Sequence, residues 1–146
     1  MSVIVKFKKL NKNARLPFFA SKGAVCFDLH ACTVFEDICI KPNSVMIVKT
    51  GLACEVPEGY ELQIRSRSGI ACAGVSILNS PGTIDSDYRG EIGIIMYNHD
   101  SGDFIIEDGD RIAQGAIRVV PKVEIVEVDK LSETERGKNG FGSTGL

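Results

Sequence analysis

Short apolar stretches of period two recur along the chain and constrain its fold more than any other feature. Residues 61–65 alternate strictly between polar and apolar side chains, and residues 3–8 nearly do. Clusters of proline, glycine, asparagine and aspartate separate further β-branched or apolar runs, which lie at residues 45–48, 52–56, 75–78, 92–96, 104–106, 112–120 and 123–128. Many short strands at this spacing predict an all-β protein, a jelly-roll-like β-barrel.

Two stretches depart from the period of two. Residues 68–74 begin with Ser68 and end with Gly74, which predicts one short helix of at most two turns. Residues 132–146 are polar and rich in glycine, which predicts a C-terminal arm. A chain of 146 residues fits a single domain. We therefore expect a β-barrel domain over residues 1–131 and an arm over residues 132–146.

Composition excludes several classes of protein. A net charge of −2 gives no basic face for a nucleic acid, although a few arginines would hold a small anion. The N-terminus has no apolar segment of signal length, and no apolar run is long enough to cross a bilayer. We expect a soluble, intracellular and most simply cytoplasmic protein that binds neither nucleic acid nor membrane.

The cysteines predict no covalent framework. Their number is odd, no C-x-x-C occurs, and the two histidines stand far apart in the sequence. Neither disulfide bonds nor a zinc site are indicated. We expect buried free thiols at all five positions. They are Cys26, Cys32, Cys39, Cys54 and Cys72.

The densest cluster of turn-forming residues lies at positions 79–91, between two apolar runs. This pattern predicts a β-hairpin with an irregular, glycine-bearing tip. The carboxylates of Asp85 and Asp87 fit either a solvated turn or a functional loop. A calcium loop starts with the same spacing, but Arg89 and Met96 occupy positions where oxygen ligands are required.

Three other polar motifs each have a structural and a functional interpretation. Asp28 stands among apolar residues, either bonded to backbone at a strand end or part of a site. Arg67 and Ser68 lie at the start of the predicted helix, whose first amides would attract an anion, unless Ser68 simply caps it. Asp110 and Arg111 follow a turn and are expected to form a structural ion pair unless they serve a site.

The C-terminal arm also carries recognition chemistry. A frayed terminus is the default for such a segment. However, Arg136, Phe141, Ser143 and Thr144 are spaced by glycines, which is unusual for a disordered tail. We therefore interpret the arm as a segment that closes over a ligand.

Taken together, the five motifs resemble the trimeric dUTPase family, in compact viral or cellular form, whose members split dUTP into dUMP and pyrophosphate. The resemblance rests on residues 24–31, 65–71, 79–91, 109–115 and 136–145, in that order. Cys26 and Ser66 depart from the family pattern, which has glycine and proline at these positions.

The resemblance implies a role for each matching residue. Asp85 would hold and activate the water that attacks the α-phosphorus. Tyr88 would pack against deoxyribose and leave no room for a 2′-hydroxyl. The uracil and deoxyribose would contact Asn79, Gly82, Ile84, Tyr88 and Phe141. The phosphates would contact Arg67, Ser68, Gly69, Gln114, Arg136, Gly142, Ser143 and Thr144.

The resemblance also implies a cofactor and an assembly. Mg²⁺ would sit on the phosphates without a direct protein ligand, and Asp28 would act through water or by ordering the site. The family forms homotrimers with three sites shared between subunits, and its activity limits uracil in DNA and supplies dUMP for dTMP synthesis. Three alternatives stay open, namely a dCTP deaminase-like enzyme, a non-catalytic nucleotide-binding regulator of the same fold, and a structural jelly-roll protein.

Overall fold

A computed structural model describes residues 2–34 and 36–140 of the chain. Within these ranges, the chain forms eleven strands and one helix. The strands are β1 (Lys6–Lys9), β2 (Phe27–His30), β3 (Ile38–Ile40), β4 (Val45–Lys49), β5 (Leu52–Glu55), β6 (Tyr60–Arg65), β7 (Val75–Ile77), β8 (Gly82–Ile84), β9 (Gly93–Asn98), β10 (Phe104–Ile106) and β11 (Arg111–Val119). The helix is α1 (Ser68–Cys72).

The strands form four small antiparallel sheets around a shared core, so the predicted all-β, jelly-roll-like barrel is confirmed. The largest sheet has the order β2-β11-β6-β8 and the next has the order β4-β9-β7. Two-stranded sheets, β1-β5 and β10-β3, complete the fold. Alternation explains the packing, since β9 buries every second residue and thereby places Ile94 and Met96 in the core.

One glycine permits a close approach inside the main sheet. A Cβ atom at Gly115 of β11 would lie 2.5 Å from Phe27 Cε2 and 2.9 Å from Leu62 Cδ1. Because strands β2 and β6 flank β11 on either side, no side chain fits between these two apolar groups. Gly115 therefore lets the sheet that carries the polar motifs pack tightly.

The predicted hairpin around residues 79–91 is confirmed in its base and corrected in its tip. Strands β7 and β9 pair antiparallel, with Ile77 opposite Met96. The connection between them is not a free turn, because it contains β8, which pairs with β6 of the other sheet. The hairpin thus bridges the two larger sheets.

Other details differ from the sequence-based predictions. The helix begins at Ser68 but ends at Cys72, two residues before Gly74, which follows with φ of 77°. Residues 123–128 do not form a strand, because this run has no pairing partner in the described part of its own chain, and Ile125 is 94% exposed. No helix in residues 2–34 and 36–140 is long and apolar enough to span a membrane.

The cysteines are free, as predicted, but they are not all buried. Cys32 and Cys54 lie in the core, where burial raises the pKa of both thiols. Cys26 and Cys39 are half-buried, and Cys72 is exposed on α1. The prediction of burial was wrong for Cys72 because α1 buries none of its residues.

Candidate functional site

The carboxylate of Asp28 holds two arginines at one end of the main sheet. Asp28 is 8% exposed on β2. Its Oδ1 accepts a hydrogen bond from Arg67 Nε at 3.1 Å, and its Oδ2 accepts one from Arg111 Nη1 at 3.3 Å. Arg67 Nη1 also donates to the Arg111 carbonyl at 2.8 Å. The side chain of Asp28 therefore orients two guanidinium groups, and the expectation of a simple backbone-bonded aspartate is wrong.

The same contacts correct the expected pair between neighbours in the sequence. Asp110 does not pair with Arg111, because its Oδ2 accepts from the Glu107 amide at 2.9 Å within a turn. Arg111 reaches across the strand pair to Asp28 instead. The turn and the arginine cluster are thus two separate features.

Gln114 joins this cluster from the middle of β11. In the register of the sheet, it lies opposite Asp28 on one side and opposite Arg65 on the other. Its Nε2 donates to the Ser66 carbonyl at 2.8 Å. Ser68 and Gly69 follow at the exposed start of α1. The structure therefore brings four of the predicted phosphate-binding residues together, namely Arg67, Ser68, Gly69 and Gln114.

The first turn of α1 does not show the capping expected of a serine. The N-cap position is Arg67, and it makes no side-chain capping bond. The hydroxyl of Ser68 lies instead inside the first turn and is exposed. Simple capping therefore does not explain Ser68.

The hairpin residues that are predicted to contact uracil and deoxyribose lie around two glycines. The Asn79 amide lies over Gly82, where a Cβ atom would be 3.0 Å from Asn79 Nδ2. The ring of Tyr88 lies over Gly90, and the Tyr88 hydroxyl donates to the Glu91 carbonyl at 3.0 Å. A side chain at either glycine would displace these groups. The tip is therefore shaped to present one amide and one aromatic ring.

Arg89 is a positioning residue of the tip that sequence reasoning missed. Its Nη1 donates to the carbonyls of Ser86 at 2.7 Å and Tyr88 at 2.9 Å. These bonds close the turn that carries Asp85, and the Tyr88 amide donates to the Asp85 carbonyl at 3.2 Å. The only signal for this role in the sequence was an arginine inside a predicted turn.

Asp85 is exposed at the rim of an acidic groove. Five carboxylates line this groove together with the cations Arg89 and Lys122; they are Glu55, Glu58, Glu61, Asp85 and Asp87. Such an excess of negative charge repels a polyphosphate. The groove beside Asp85 in an isolated chain is therefore not suited to hold the phosphates.

The hairpin tip and the arginine cluster are far apart within one chain. Ile84, next to Asp85, pairs with Leu62 of β6, whereas Gln114 pairs with Arg65. Residue and strand spacings place Asp85 on the order of 15 Å from Gln114. A single chain thus does not bring Asp85 to the predicted phosphate residues. We call the two groups half-sites: the hairpin half-site contains Asn79, Asp85 and Tyr88, and the phosphate half-site contains Arg67, Ser68, Gly69 and Gln114 around Asp28.

The described part of the arm makes local contacts. Arg136 is exposed, and its Nε donates to the Asn139 carbonyl at 2.9 Å. The Gly137 amide donates to the Thr134 carbonyl at 3.1 Å. The remaining predicted arm residues, Phe141, Gly142, Ser143 and Thr144, lie outside the described residues.

His30 is a second buried polar residue beside the cluster that the sequence did not single out. It is 4% exposed, stacks on Phe18 at 5.5 Å between ring centroids, and its Nδ1 has no hydrogen-bond partner among the described residues. Burial lowers its pKa, and the nearby Arg15 guanidinium adds to the effect. The only sequence signal was its place in an apolar strand.

The chain is thus an all-β barrel with two arginines held by a buried carboxylate at one end of its main sheet, a class of protein whose guanidinium groups suit an anionic ligand. A family model described as dUTPase matches residues 12–145. The chain belongs to the dUTPase family, which is a family of enzymes.

Named relatives agree with this assignment. A protein of Nautilia profundicola named deoxyuridine 5′-triphosphate nucleotidohydrolase is 52% identical over 142 residues, covering 97% of this chain and 98% of the relative. A protein of the same name from Helicobacter pylori is 48% identical over 143 residues, covering 97% of each. These relatives are cellular, so they do not support the viral form considered from the sequence.

Solved structures show the same fold. The dUTPase of Staphylococcus bacteriophage 80alpha with dUPNHPP has a TM-score of 0.87 at 30% identity, covering 98% of this chain and 99% of that chain. A mutant dUTPase from phage phi11 of S. aureus, described with a structural Mg(II) ion, has a TM-score of 0.80 at 24% identity, covering 89% of this chain and 99% of that chain. The second likeness is one of fold alone.

Proposed function

We propose that this protein hydrolyses dUTP to dUMP and pyrophosphate. The observation that carries the proposal is the 52% identity, over nearly the full length of both chains, to a protein named deoxyuridine 5′-triphosphate nucleotidohydrolase. The two half-sites supply the chemistry that the reaction needs, with cations on one side and a carboxylate beside an aromatic ring on the other. Such an activity limits uracil in DNA and supplies dUMP for dTMP synthesis.

Asp85 is the general base of this mechanism. An exposed carboxylate at neutral pH can accept a proton from a bound water, whose oxygen then attacks the α-phosphorus in line. The bond from that phosphorus to the bridging oxygen breaks, and pyrophosphate leaves. One water is consumed for each dUMP and pyrophosphate formed.

The hairpin and the arm recognise the nucleoside. Backbone groups near Gly82 and Ile84, together with the Asn79 amide, read the edge of uracil. The ring of Tyr88, fixed over Gly90, packs on deoxyribose and excludes a 2′-hydroxyl. Phe141 of the arm stacks on the base. The resemblance and the exposed position of the hairpin support this assignment of the nucleoside contacts.

The arginine cluster and the arm hold the phosphates. Arg67 has donors left after its bonds to Asp28 and Arg111, and Gln114 keeps a second N–H beside its bond to Ser66. Ser68 and Gly69 add donors at the start of α1, and the remaining donors come from Arg136, Gly142, Ser143 and Thr144. Donors on two segments would enclose the triphosphate once the arm, residues 132–146, closes over the barrel domain, residues 1–131.

Mg²⁺ would enter the site as an ion carried by the substrate. Among the described residues, no group of three or more histidine, cysteine, aspartate or glutamate side chains is arranged to hold a metal. When bound, Mg²⁺ would neutralise charge on the triphosphate. Asp28, the buried carboxylate of the phosphate half-site, is the group that would meet a water carried with the ion.

A homotrimer would complete each site from the half-sites of different copies. Two observations support this assembly, namely the separation of Asp85 from Gln114 and the exposed apolar tail that follows β11. Val123, Ile125 and Val126 are 73%, 94% and 65% exposed. Side chains of this kind rarely stay in water on a stable monomer, so another copy is the natural partner for the tail.

The test is pyrophosphate release by the purified protein with Mg²⁺ on dUTP, dTTP, dCTP and UTP side by side. Release from dUTP alone is the expected result. Comparable release from dTTP or UTP would contradict the assignment of the hairpin as the base and sugar pocket. Ammonia release from dCTP would favour the deaminase, and nucleotide binding without any release would favour the non-catalytic regulator.

A further inference from the structure

Ser66 lies between the two half-sites and contacts elements of both. It belongs to the short connection between β6 and α1, directly before Arg67. Its carbonyl accepts from Gln114 Nε2 at 2.8 Å, which anchors it to the phosphate half-site. Its hydroxyl and amide face the other way, toward the residues that open the hairpin.

Two bonds of Ser66 reach the start of the hairpin. The Ile77 amide donates to Ser66 Oγ at 3.1 Å, and the Ser66 amide donates to Ser80 Oγ at 3.4 Å. The Leu78 amide donates to the Ile95 carbonyl of β9, so the Ile77 amide points away from β9, as alternation requires. Ser66 therefore holds both sides of Leu78–Asn79, the segment from which the Asn79 amide projects over Gly82.

A proline at this position could make neither of these bonds, because it has no N–H and no hydroxyl. The dUTPase pattern resembled by this chain has proline there. The attachment of the hairpin to the phosphate half-site through a side-chain hydroxyl is thus a property of this sequence rather than of the pattern.

We propose that Ser66 is a positioning residue that sets the selectivity for the base, by fixing Asn79 relative to the main sheet. This inference rests on the proposed function, since it assigns the reading of uracil to the hairpin. Tyr88 lies at the far end of the hairpin and is fixed independently by Glu91 and Gly90. Discrimination against UTP is therefore separate from discrimination against dCTP.

The test compares kcat/KM for dUTP, dCTP and UTP in Ser66→Ala and in the unmodified protein. The alanine leaves the carbonyl for Gln114 but leaves the Ile77 amide without its acceptor. We expect the preference for dUTP over dCTP to fall about five- to tenfold, which is the effect of one unsatisfied hydrogen bond. The preference for dUTP over UTP should not change, and hydrogen exchange at residues 77–80 should accelerate.

Three variants act as controls. Ser66→Thr keeps the hydroxyl and should restore the preference for dUTP over dCTP. Ser80→Ala removes the longer bond and should lower this preference by less than Ser66→Ala does. Ser76→Ala removes a hydroxyl of β7 that bonds His99 Nε2 at 2.8 Å on the other side of the strand, and it should change neither ratio.

The inference is overturned if Ser66→Ala keeps the dUTP to dCTP ratio, or if both ratios fall together, as general destabilisation would cause. The ratio of the affinities for dUMP and dCMP measures the same preference for uracil over cytosine without turnover. An unmodified protein that releases no pyrophosphate would reject the proposed function, whereas an unchanged dUMP to dCMP ratio in Ser66→Ala would reject the role of Ser66.

Discussion

At the scale of single residues, Asp28 illustrates how one buried carboxylate can organise a cationic site. Each of its two oxygens accepts from a different guanidinium group, and both arginines are more exposed than the carboxylate itself. Arginines held in this way lose less freedom when they bind a phosphate, which favours binding. Asp28 can therefore contribute to the site without touching substrate, whether or not it also meets a metal-bound water.

The general base can be tested by replacing one of two neighbouring carboxylates. Asp85→Asn should lower kcat on the order of 10²–10⁴-fold, because the amide cannot accept the proton of water. Binding of a non-hydrolysable dUTP analogue should persist. Steady-state pyrophosphate release and calorimetry of analogue binding measure the two effects. Asp87→Asn, on the same tip, is the matched control and should turn over within a few-fold of normal; equal losses in both variants would count against Asp85 as the base.

His30 predicts a direction for the effect of pH on stability. Its pKa is lowered in the folded state, so the unfolded chain binds a proton more readily between that lowered value and the ordinary value of about 6.5. Above that range His30 is neutral in both states and does not reduce the free energy of unfolding. As the pH falls through the range, the unfolded chain takes up the proton first and the free energy of unfolding decreases. The urea midpoint should therefore drop between pH 7.5 and 5.5.

Two matched variants distinguish the contribution of His30 to acid sensitivity from that of His99. His30→Gln should show a smaller drop in the urea midpoint over this pH range, because glutamine does not titrate. His99→Gln replaces an exposed histidine and should behave like the unmodified protein. A drop of the same size in His30→Gln would mean that other groups cause the acid sensitivity.

At the scale of elements, β6 is the strand on which both half-sites are built. It pairs with β11, which carries Gln114, and with β8, which begins the hairpin tip. Its C-terminal end continues through Ser66 into Arg67 and α1. One strand therefore sets the spacing between the hairpin and the arginine cluster, and a change in its register would displace both.

The arm is an element whose removal should separate activity from folding. Deletion of residues 137–146 should leave the unfolding transition unchanged, since described side-chain bonds of the arm are local, such as Arg136 to Asn139. The value of kcat/KM should fall by about 10²-fold or more, because phosphate donors and Phe141 are lost. Circular dichroism and pyrophosphate release provide the two readouts.

A control within the same arm excludes a non-specific effect. Glu133→Ala removes an exposed ion pair with Lys130 and should leave both stability and turnover unchanged, since such pairs contribute little. A deletion variant that keeps full activity would refute the role of the arm as a lid.

At the scale of the whole molecule, the decisive feature is that one chain carries two halves of a site that do not meet. Asp85 borders an acidic groove, while the arginines gather at the other end of the sheet. Association of copies would bring a base from one chain to phosphates held by another.

Mixing two inactive variants tests this arrangement. Asp85→Asn keeps the arginine cluster and Arg67→Ala keeps the base, so each variant alone should be nearly inactive. Co-refolding equal amounts should restore about a quarter of the normal activity, because that share of sites combines an intact hairpin and an intact cluster. Each variant refolded alone is the control. Mixed oligomers that recover no activity would indicate that each site is built within one chain.

The sequence alone determined the all-β class, the one short helix, and most strands, because alternation and turn residues act locally. The resemblance of its motifs to the dUTPase pattern pointed to Asp85, Tyr88, Arg67 and Gln114 as site residues, and their roles stay predictions. Only the tertiary structure decided that residues 123–128 pair with none of the described residues of their own chain, that Arg111 pairs with Asp28 rather than with Asp110, and that β8 joins the hairpin to the other sheet. These features depend on contacts between distant parts of the chain, which no local pattern encodes. The same reason explains why the separation of Asp85 from Gln114, and the link through Ser66, emerged only from the folded molecule.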